Sequence, residues 1–170
     1  MVIQKKTIQR GLLVIAAILV LIQFIRPARN ESAEYSKDIT KKFPVPDSVL
    51  TILKPACYDC HSNHTDYPWY ANIQPVAWWL ADHVNEGKKE LNFSEFASYR
   101  PFRQYNKLDK IVKELDESEM PLYSYTIMHG NARLSNEQRL IVSHWAADLR
   151  DKMKATYPAD SLARPKKIKS

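Results

Sequence analysis

Residues 57–61 read CYDCH, so two cysteines lie three positions apart and a histidine follows the second one directly. This C-x-x-C-H spacing is the attachment signature of c-type haem. Two thiols three positions apart reach the two vinyl groups on one edge of the macrocycle, and the adjacent imidazole then lies under the iron. The motif therefore predicts one covalently attached haem c, with Cys57 and Cys60 as the links and His61 as the proximal iron ligand.

Three other roles for the cysteines stay open at this point. A structural zinc site built from Cys57, Cys60 and His64 would need a fourth ligand, and the sequence holds only two cysteines. A thioredoxin-like redox pair needs a βαβ context, and a plain disulfide gives no reason for a histidine at position 61. Haem attachment uses all three motif residues, so it is the preferred interpretation.

The residues around the motif indicate helices. The predicted segments are helices over 48–54, 69–85, 103–114 and 135–154, a short turn over 94–99 and a loop over 118–130. Asp47 and Ser94 are the expected caps of the first helix and of the turn. The second helix is expected to be interrupted or restarted at Pro75, and Ser135 with Gln138 forms a capping-box pattern. The residues expected to face the core recur at helical spacing: Leu108, Ile111, Val112 and Leu115, and then Ile141, Trp145, Leu149 and Met153. No alternating strand pattern is found, so the predicted fold class is all-α.

Length and charge exclude several classes of function. A chain of 170 residues suffices for one compact domain with a core. The net charge of +6 comes from the two ends, because residues 31–160 carry 16 basic and 19 acidic side chains. A basic face for nucleic acid is therefore not expected. No general base, activated nucleophile or phosphate-binding loop stands out, so we expect a protein that is not an enzyme.

The N-terminus carries a membrane segment. Residues 11–25 read GLLVIAAILVLIQFI, with Gln23 as the only strongly polar interruption. The flanking basic residues are Lys5, Lys6 and Arg10 before the segment and Arg26 and Arg29 after it. The positive-inside rule then leaves the N-terminus in the cytoplasm and the remainder outside. A cleaved signal peptide is the alternative, but residues 24–27 (FIRP) make a poor cleavage site, so we favour a retained anchor.

These observations divide the chain into four segments. Residues 1–26 are the predicted transmembrane anchor and residues 27–45 a polar linker. Residues 46–157 form the predicted haem domain, and residues 158–170 a basic, flexible tail. The predicted location is the bacterial inner membrane, with the haem domain on the periplasmic side.

Several stretches between about Pro46 and Leu149 carry a resemblance to known proteins. They read CYDCHSNHTDYPWY, IQPVAWWLADHV, LNFSEF, MPLYSYTIMH and LSNEQR. Together they resemble monohaem cytochromes c and, more closely, short membrane-anchored bacterial haem-binding domain proteins. The resemblance implies a cytochrome c-like arrangement, in which a first helix enters the motif, a loop carries a methionine, and a C-terminal helix crosses the first.

The sequence departs from small cytochromes c in two places. Val49 occupies the position eight residues before Cys57, where those proteins usually have a glycine at the crossing of the terminal helices. Met120 lies 59 positions after His61, and an aromatic-rich insert without an assigned counterpart fills the interval. The crossing is therefore expected to be wider or differently placed.

Met120 is the expected distal iron ligand. It lies in a loop, precedes Pro121, and stands about fifteen residues before the last helix, similar to the ligand methionine of cytochromes c. The competing candidates are Met128, His129, His83 and His64, each more readily explained as a packing or surface residue. His144 is expected at the surface of the last helix.

The rest of the pocket is predicted from residue type. A carbonyl of Pro68 or Pro75 is the expected acceptor for the second ring nitrogen of His61. The expected haem walls are Trp69, Tyr70, Trp78, Trp79, Tyr99 and Phe102. Arg100 and Arg103 are candidates for binding the haem propionates. The alternative is that both side chains lie on the solvated surface.

The predicted function is a membrane-tethered carrier of single electrons, with redox proteins as partners. A haem peroxidase or a gas or redox sensor is the alternative. Both alternatives need an open or displaceable sixth position on the iron. Whether Met120 binds the iron therefore distinguishes them from an electron carrier.

Overall fold

The computed structural model describes residues 5–164. These residues form helices and loops, with one isolated bridge between Glu31 and His64, which confirms the all-α class. The helices are α1 Lys5–Leu21, α2 Asp47–Leu53, α3 Asp59–His61, α4 Val76–Glu90, α5 Pro101–Asp116, α6 Tyr123–Met128, α7 Asn136–Thr156 and α8 Ala159–Leu162. Short 3-10 turns lie at Ile22–Phe24, Ile39–Lys41, Trp69–Asn72, Phe93–Ser98 and Gly130–Ala132.

Helix α2 continues into the motif through a π-helical turn, Lys54–Tyr58, which joins it to α3. Pro55 lies in this turn and lacks the N–H that would bond to the carbonyl of Thr51, so the helix widens here. The motif therefore begins inside a wide turn and ends in the short helix α3. A first helix does enter the motif, as the resemblance implies.

The core lies between α5 and α7, with α2 packed across α7. The residues of α5 and α7 that are buried here include Leu108, Ile111 and Leu115, and Trp145, Leu149 and Met153. Val112 and Ile141 are partly buried against the same cluster. The capping box at the start of α7 is confirmed, because Ser135 Oγ accepts from the Gln138 N–H at 3.1 Å and Gln138 Oε1 accepts from the Ser135 N–H at 2.9 Å.

Four local predictions differ from the structure. The helix predicted over 69–85 is a 3-10 turn, Trp69–Asn72, followed by α4, which continues to Glu90. Asp47 is the first residue of α2, and Pro46 rather than Asp47 precedes the helix as its cap. Asn92 caps the turn at Phe93–Ser98, since its side chain accepts from the Ser94 N–H at 3.0 Å. The predicted loop over 118–130 contains helix α6, which the sequence did not indicate.

The segment 27–45 packs onto the domain instead of spanning open solvent. Ile39 is fully buried in the core, and the carbonyl of Lys37 accepts from the Ala97 N–H at 2.9 Å. At the other end of the chain, Tyr157 and Leu162 pack against the same core, so the expected flexible tail is structured as far as α8. Residues 165–170 of that predicted tail lie outside the described part of the chain.

Helix α1 and the 3-10 turn after it form one apolar rod over Lys5–Phe24, 20 residues long with a mean hydropathy of 2.0. At about 1.5 Å per residue the rod is roughly 30 Å long, the thickness of the hydrocarbon core of a bilayer. None of the apolar stretch of this rod is buried against the rest of the chain. The rod is thus long and apolar enough to cross a membrane, which is compatible with a single-pass anchor.

Candidate functional site

An apolar cavity of about 320 Å³, the first cavity, lies beside the CYDCH motif. Its aliphatic walls include Leu53, Leu91, Ile111 and Leu115, and Cys57, His61 and Met120 also line it. A second cavity of about 310 Å³ adjoins it and shares His61 and Met120. Cys60 lines this second cavity. The two thiols, His61 and Met120 therefore lie around two adjoining cavities.

The imidazole of His61 is held at the C-terminal end of α4. Its Nδ1 lies 2.8 Å from the carbonyl oxygen of Gly87 and 3.0 Å from that of Leu91, so Nδ1 carries the proton and donates to both. Burial lowers the pKa of His61, which keeps the ring neutral. Nε2 is then the nitrogen with a lone pair available for a metal ion.

This geometry corrects the expected partners of His61. The Pro68 carbonyl accepts from the Ala71 N–H at 3.0 Å, and the Pro75 carbonyl accepts from the N–H of Trp78 at 3.1 Å. Both prolines are thus used to start helical turns. The acceptors are instead two carbonyls at the end of α4: that of Gly87, which also accepts from the Leu91 N–H at 2.8 Å, and that of Leu91, which directly follows the last residue of the helix.

Gly87 brings α4 onto the motif. A Cβ built at this position would lie 2.6 Å from the carbonyl oxygen of Cys60, closer than real Cβ atoms come. Any larger residue would push α4 away from α3 and move the carbonyls that orient His61. The sequence carried little signal, because Gly87 lies just beyond the helix predicted over 69–85. The structure places it inside α4, where glycine costs about 1 kcal/mol relative to alanine.

The thiols of Cys57 and Cys60 are both free in this structure. Burial raises the pKa of Cys57 to about 12, and burial together with the Asp59 carboxylate raises that of Cys60 to about 11. Both thiols are therefore protonated at neutral pH. Within residues 5–164, no three or more His, Cys, Asp or Glu side chains come close enough to hold a metal ion together, so the zinc alternative gains no support.

Met120 lies in a loop that is tied to two helices. Its N–H donates to the Glu114 carbonyl at 3.3 Å, and its carbonyl accepts from Arg139 Nη1 at 2.8 Å. Arg139 belongs to α7 and Glu114 to α5, so the central helix pair of the core holds this loop. The partly exposed side chain of Met120 lines the first and second cavities together with His61.

The competing ligand candidates occupy different surroundings. His83 lines the second cavity, and its Nδ1 donates to the Trp79 carbonyl at 2.9 Å. His129 stacks on Tyr125 with ring centroids 4.1 Å apart, while Met128 is 57% exposed. His64 and His144 are exposed. Of these candidates, His83 alone lines a cavity that His61 and Met120 also line.

The predicted aromatic walls are wrong for the first cavity, since none of the six residues lines it. Trp69 is 73% exposed, and Trp78 and Trp79 lie on the outer side of α4. The buried positions of α4 are Ala77, Leu80 and Val84, spaced by three and four residues, and this spacing turns the tryptophans outward. Tyr70 and Trp79 line a third cavity of about 280 Å³, which Cys60 also borders.

Lysines rather than the predicted arginines carry the positive charge at the first cavity. Lys107 and Lys110 of α5 line it, and their Nζ atoms lie 3.3 Å and 2.9 Å from Glu90 Oε2. The hydrogen bond from Lys110 and the charge of Lys107 lower the pKa of Glu90 to about 2. Arg100 and Arg103 border a separate surface cavity, where the Arg103 guanidinium lies 4.2 Å from the centre of the Tyr99 ring.

The residues at the cavities fit the predicted cofactor. They combine two protonated thiols, a neutral imidazole with its Nε2 available, a thioether, apolar walls and two cations. In the comparisons with known proteins, residues 17–148 match the family described as Haem-binding domain. The match runs from within α1 into α7 and includes the motif, both cavities and Met120. No curated protein and no solved structure matches the chain.

Proposed function

Because this chain belongs to the haem-binding domain family, we propose that it is a membrane-tethered c-type cytochrome that carries single electrons and catalyses no reaction of its own. One observation carries the proposal. His61 and Met120 line the same two adjoining cavities, and the thiols of Cys57 and Cys60 border them. This is the residue set of a covalently attached haem with histidine and methionine as axial ligands.

In this proposal Cys57 and Cys60 hold the haem c through thioether bonds, with His61 as the proximal and Met120 as the distal iron ligand. The bound haem supplies a reversible one-electron couple between ferric and ferrous iron. The protein orients the proximal imidazole by two carbonyls, since Nδ1–H donates to Gly87 and Leu91. Such hydrogen bonds also raise the basicity of the ligating nitrogen.

The distal side is held by the fold. Glu114 and Arg139 bond to the backbone of Met120 on either side of its side chain, which limits how far the thioether can withdraw. A methionine ligand favours the ferrous state relative to a second histidine, and aliphatic walls around the site act in the same direction by excluding water. The structure thus supports a comparatively high reduction potential for this class of carrier.

The charged groups at the first cavity suit the haem propionates. Lys107 and Lys110 lie on one face of α5, three positions apart, and both now bond to the Glu90 carboxylate. A carboxylate from the cofactor is the same chemical partner as Glu90. These two lysines therefore replace Arg100 and Arg103 as our candidates for propionate contacts.

The N-terminal rod defines where the carrier works. With α1 in the bacterial inner membrane and the domain on the periplasmic side, the haem stays close to the membrane surface. Confinement raises its effective concentration toward redox proteins in the same membrane. These proteins are the proposed donors and acceptors.

Optical spectra of the full chain test the proposal. The protein is made in a bacterial host that attaches c-type haem, and spectra are recorded oxidised, reduced, and reduced with carbon monoxide. We expect haem that stays on the chain after denaturation, a charge-transfer band from Met–Fe(III) ligation, and no shift with carbon monoxide. Haem that is released by denaturation would overturn the c-type assignment without affecting family membership.

Two methionine variants identify the distal ligand. Met120→Ala is expected to remove the charge-transfer band and to make the reduced protein bind carbon monoxide. Met128→Ala is the matched control, because Met128 is 57% exposed and borders neither the first nor the second cavity. An unchanged spectrum in Met120→Ala would contradict the assignment.

His83 favours a second candidate function, a peroxidase or a gas or redox sensor. It borders the second cavity, which Met120 also lines, and an imidazole there would be placed for proton transfer near an open iron position. Binding of carbon monoxide by the unaltered protein would favour this candidate over the electron carrier. His83→Ala would then be expected to change the rate of reaction with peroxide or the affinity for the gas.

A further inference from the structure

The end of the N-terminal rod is bonded directly to the domain. Gln23 Oε1 accepts from the backbone N–H of Gln74 at 2.9 Å, and Gln23 Nε2 donates to the Gln74 carbonyl at 3.3 Å. Two residues later, the Ile25 carbonyl accepts from Gln74 Nε2 at 2.7 Å and from the indole N–H of Trp78 at 3.0 Å. We call this set of contacts, made by Gln23, Ile25, Gln74 and Trp78, the anchor clamp.

Apolar side chains are exposed around this clamp. We define the outer aromatic face by five residues. They are Trp69 in the 3-10 turn Trp69–Asn72, Ile73 in the loop after it, Val76 and Trp79 in α4, and Met128 in α6. All five are exposed. Ile73 and Val76 flank the clamp residue Gln74 in the chain, and Val76, Trp79 and Met128 line the third cavity together. The face is therefore continuous with the point where the rod meets the domain.

The composition of this face matches the surface of a bilayer. Contiguous exposed apolar patches are uncommon on soluble proteins and mark contact surfaces. Tryptophan is enriched where proteins meet lipid headgroups, because its ring is apolar while its N–H bonds to polar groups. A face that begins at the last residues of a membrane-crossing rod lies where the bilayer surface must be. A protein partner would have to displace lipid to reach the same place.

We propose that the outer aromatic face lies in the headgroup region of the membrane that holds α1, and that the anchor clamp fixes the domain in this orientation. The inference rests on the retained anchor of the proposed function. The proposed function requires only that the domain is tethered to the membrane, and this inference adds a defined orientation of the domain. Cys60 and Trp79 line the third cavity together, so the thiol of Cys60, which would hold the cofactor, lies on the side of the domain that faces the membrane.

Fluorescence quenching by lipids tests this contact on the full chain. The protein is reconstituted into liposomes whose acyl chains carry bromine, which quenches indole emission on contact, and into unbrominated liposomes as a reference. Residues 1–26 contain no tryptophan, so all the emission comes from the domain. Haem lowers the emission in both liposomes alike and cancels in the ratio. We expect a clear fractional loss of emission in brominated liposomes.

A variant that retains only Trp145 supplies the background. Trp69→Phe, Trp78→Phe and Trp79→Phe leave Trp145, which is 7% exposed and packs in the core of the domain. This variant is expected to lose little emission. Equal quenching ratios for it and the unaltered protein would overturn the proposal.

A matched pair of anchor variants tests the clamp. Gln23→Leu removes both side-chain bonds to Gln74 and makes the rod more apolar, so insertion is retained while quenching is expected to fall. Gln9→Leu is the same substitution in the first turns of α1 and is expected to leave quenching unchanged. Equal quenching in both variants would overturn the role of the clamp.

Flotation of the liposomes separates the failure of this inference from that of the proposed function. A chain that floats with liposomes but shows no quenching has an anchor and a free domain, which overturns only the contact. A chain that does not float has no membrane anchor, which overturns the tether and the contact together. The haem spectra are independent of both results.

Discussion

The first cavity and the outer aromatic face are both apolar, but the cavity lies inside the domain and the face is exposed on its surface. The cavity is lined by aliphatic residues such as Leu53, which is 1% exposed, whereas Trp79 on the outer face is 46% exposed. Tryptophans next to a haem motif suggest pocket walls, but Trp69, Trp78 and Trp79 are exposed, and the aromatic side chain that lines the first cavity is Phe93. The comparison shows that the position of a residue on its helix, rather than its size, decides which apolar surface it joins.

The test with the largest expected effect truncates one residue of the first cavity and one residue of the outer aromatic face. Leu53→Ala removes a buried side chain between α2 and the core and is expected to cost about 2–5 kcal/mol of unfolding free energy. Trp79→Ala is the matched truncation on the outer face and is expected to change it by less than about 0.5 kcal/mol in detergent. Thermal unfolding of the full chain, followed by circular dichroism, measures both. Equal losses would show that Trp79 belongs to the core.

A second test changes the contact between α4 and the motif. Gly87→Ala is expected to destabilise the protein by about 1–3 kcal/mol and to lower haem incorporation, because the added Cβ meets the Cys60 carbonyl. Gly130→Ala is the control, since a Cβ there meets nothing within 4 Å. Haem staining and thermal unfolding report the two effects. A Gly87→Ala protein as stable as the unaltered one would contradict the close approach.

The smallest expected effect concerns Glu90 at the first cavity. Its pKa is lowered to about 2 by Lys110 and Lys107, so its ion pairs stabilise the folded state above the unfolded pKa of about 4.3. That contribution is lost as the pH falls from about 4.3 to about 2. Because the group is exposed and screened by solvent, the loss is modest. Unfolding measured at pH 2.5 and pH 5 should show a weaker pH dependence in Glu90→Gln.

Local signals in the sequence predicted a large part of the fold. The capping box of Ser135 and Gln138 and the four-residue spacing from Ile141 to Met153 identified α7 correctly, because both depend on residues within one helix. Pro75 marked the start of α4 for the same reason. The all-α class followed from the absence of any alternating pattern.

The surroundings of the site were less predictable because they depend on distant elements. The partners of His61 are decided by where α4 ends relative to the motif, 26 and 30 residues further along the chain. The cations at the cavity are decided by the rotation of α5, which presents Lys107 and Lys110 rather than Arg103. Neither the end of α4 nor the rotation of α5 is visible in the spacing of the motif itself.

The contacts of Asn30 limit where a protease can cut between the N-terminal anchor and the domain. Its side-chain amide donates to the Ser62 carbonyl at 3.0 Å, its N–H donates to the Tyr67 hydroxyl at 2.8 Å, and its carbonyl accepts from the Thr65 N–H at 2.9 Å. A protease that cut after this residue would release a domain whose loop beyond the motif had lost these partners. Leaving buried polar groups unpaired costs about 1–3 kcal/mol each. A stable shed form of this protein must therefore keep Asn30, and cleavage has to occur nearer the membrane.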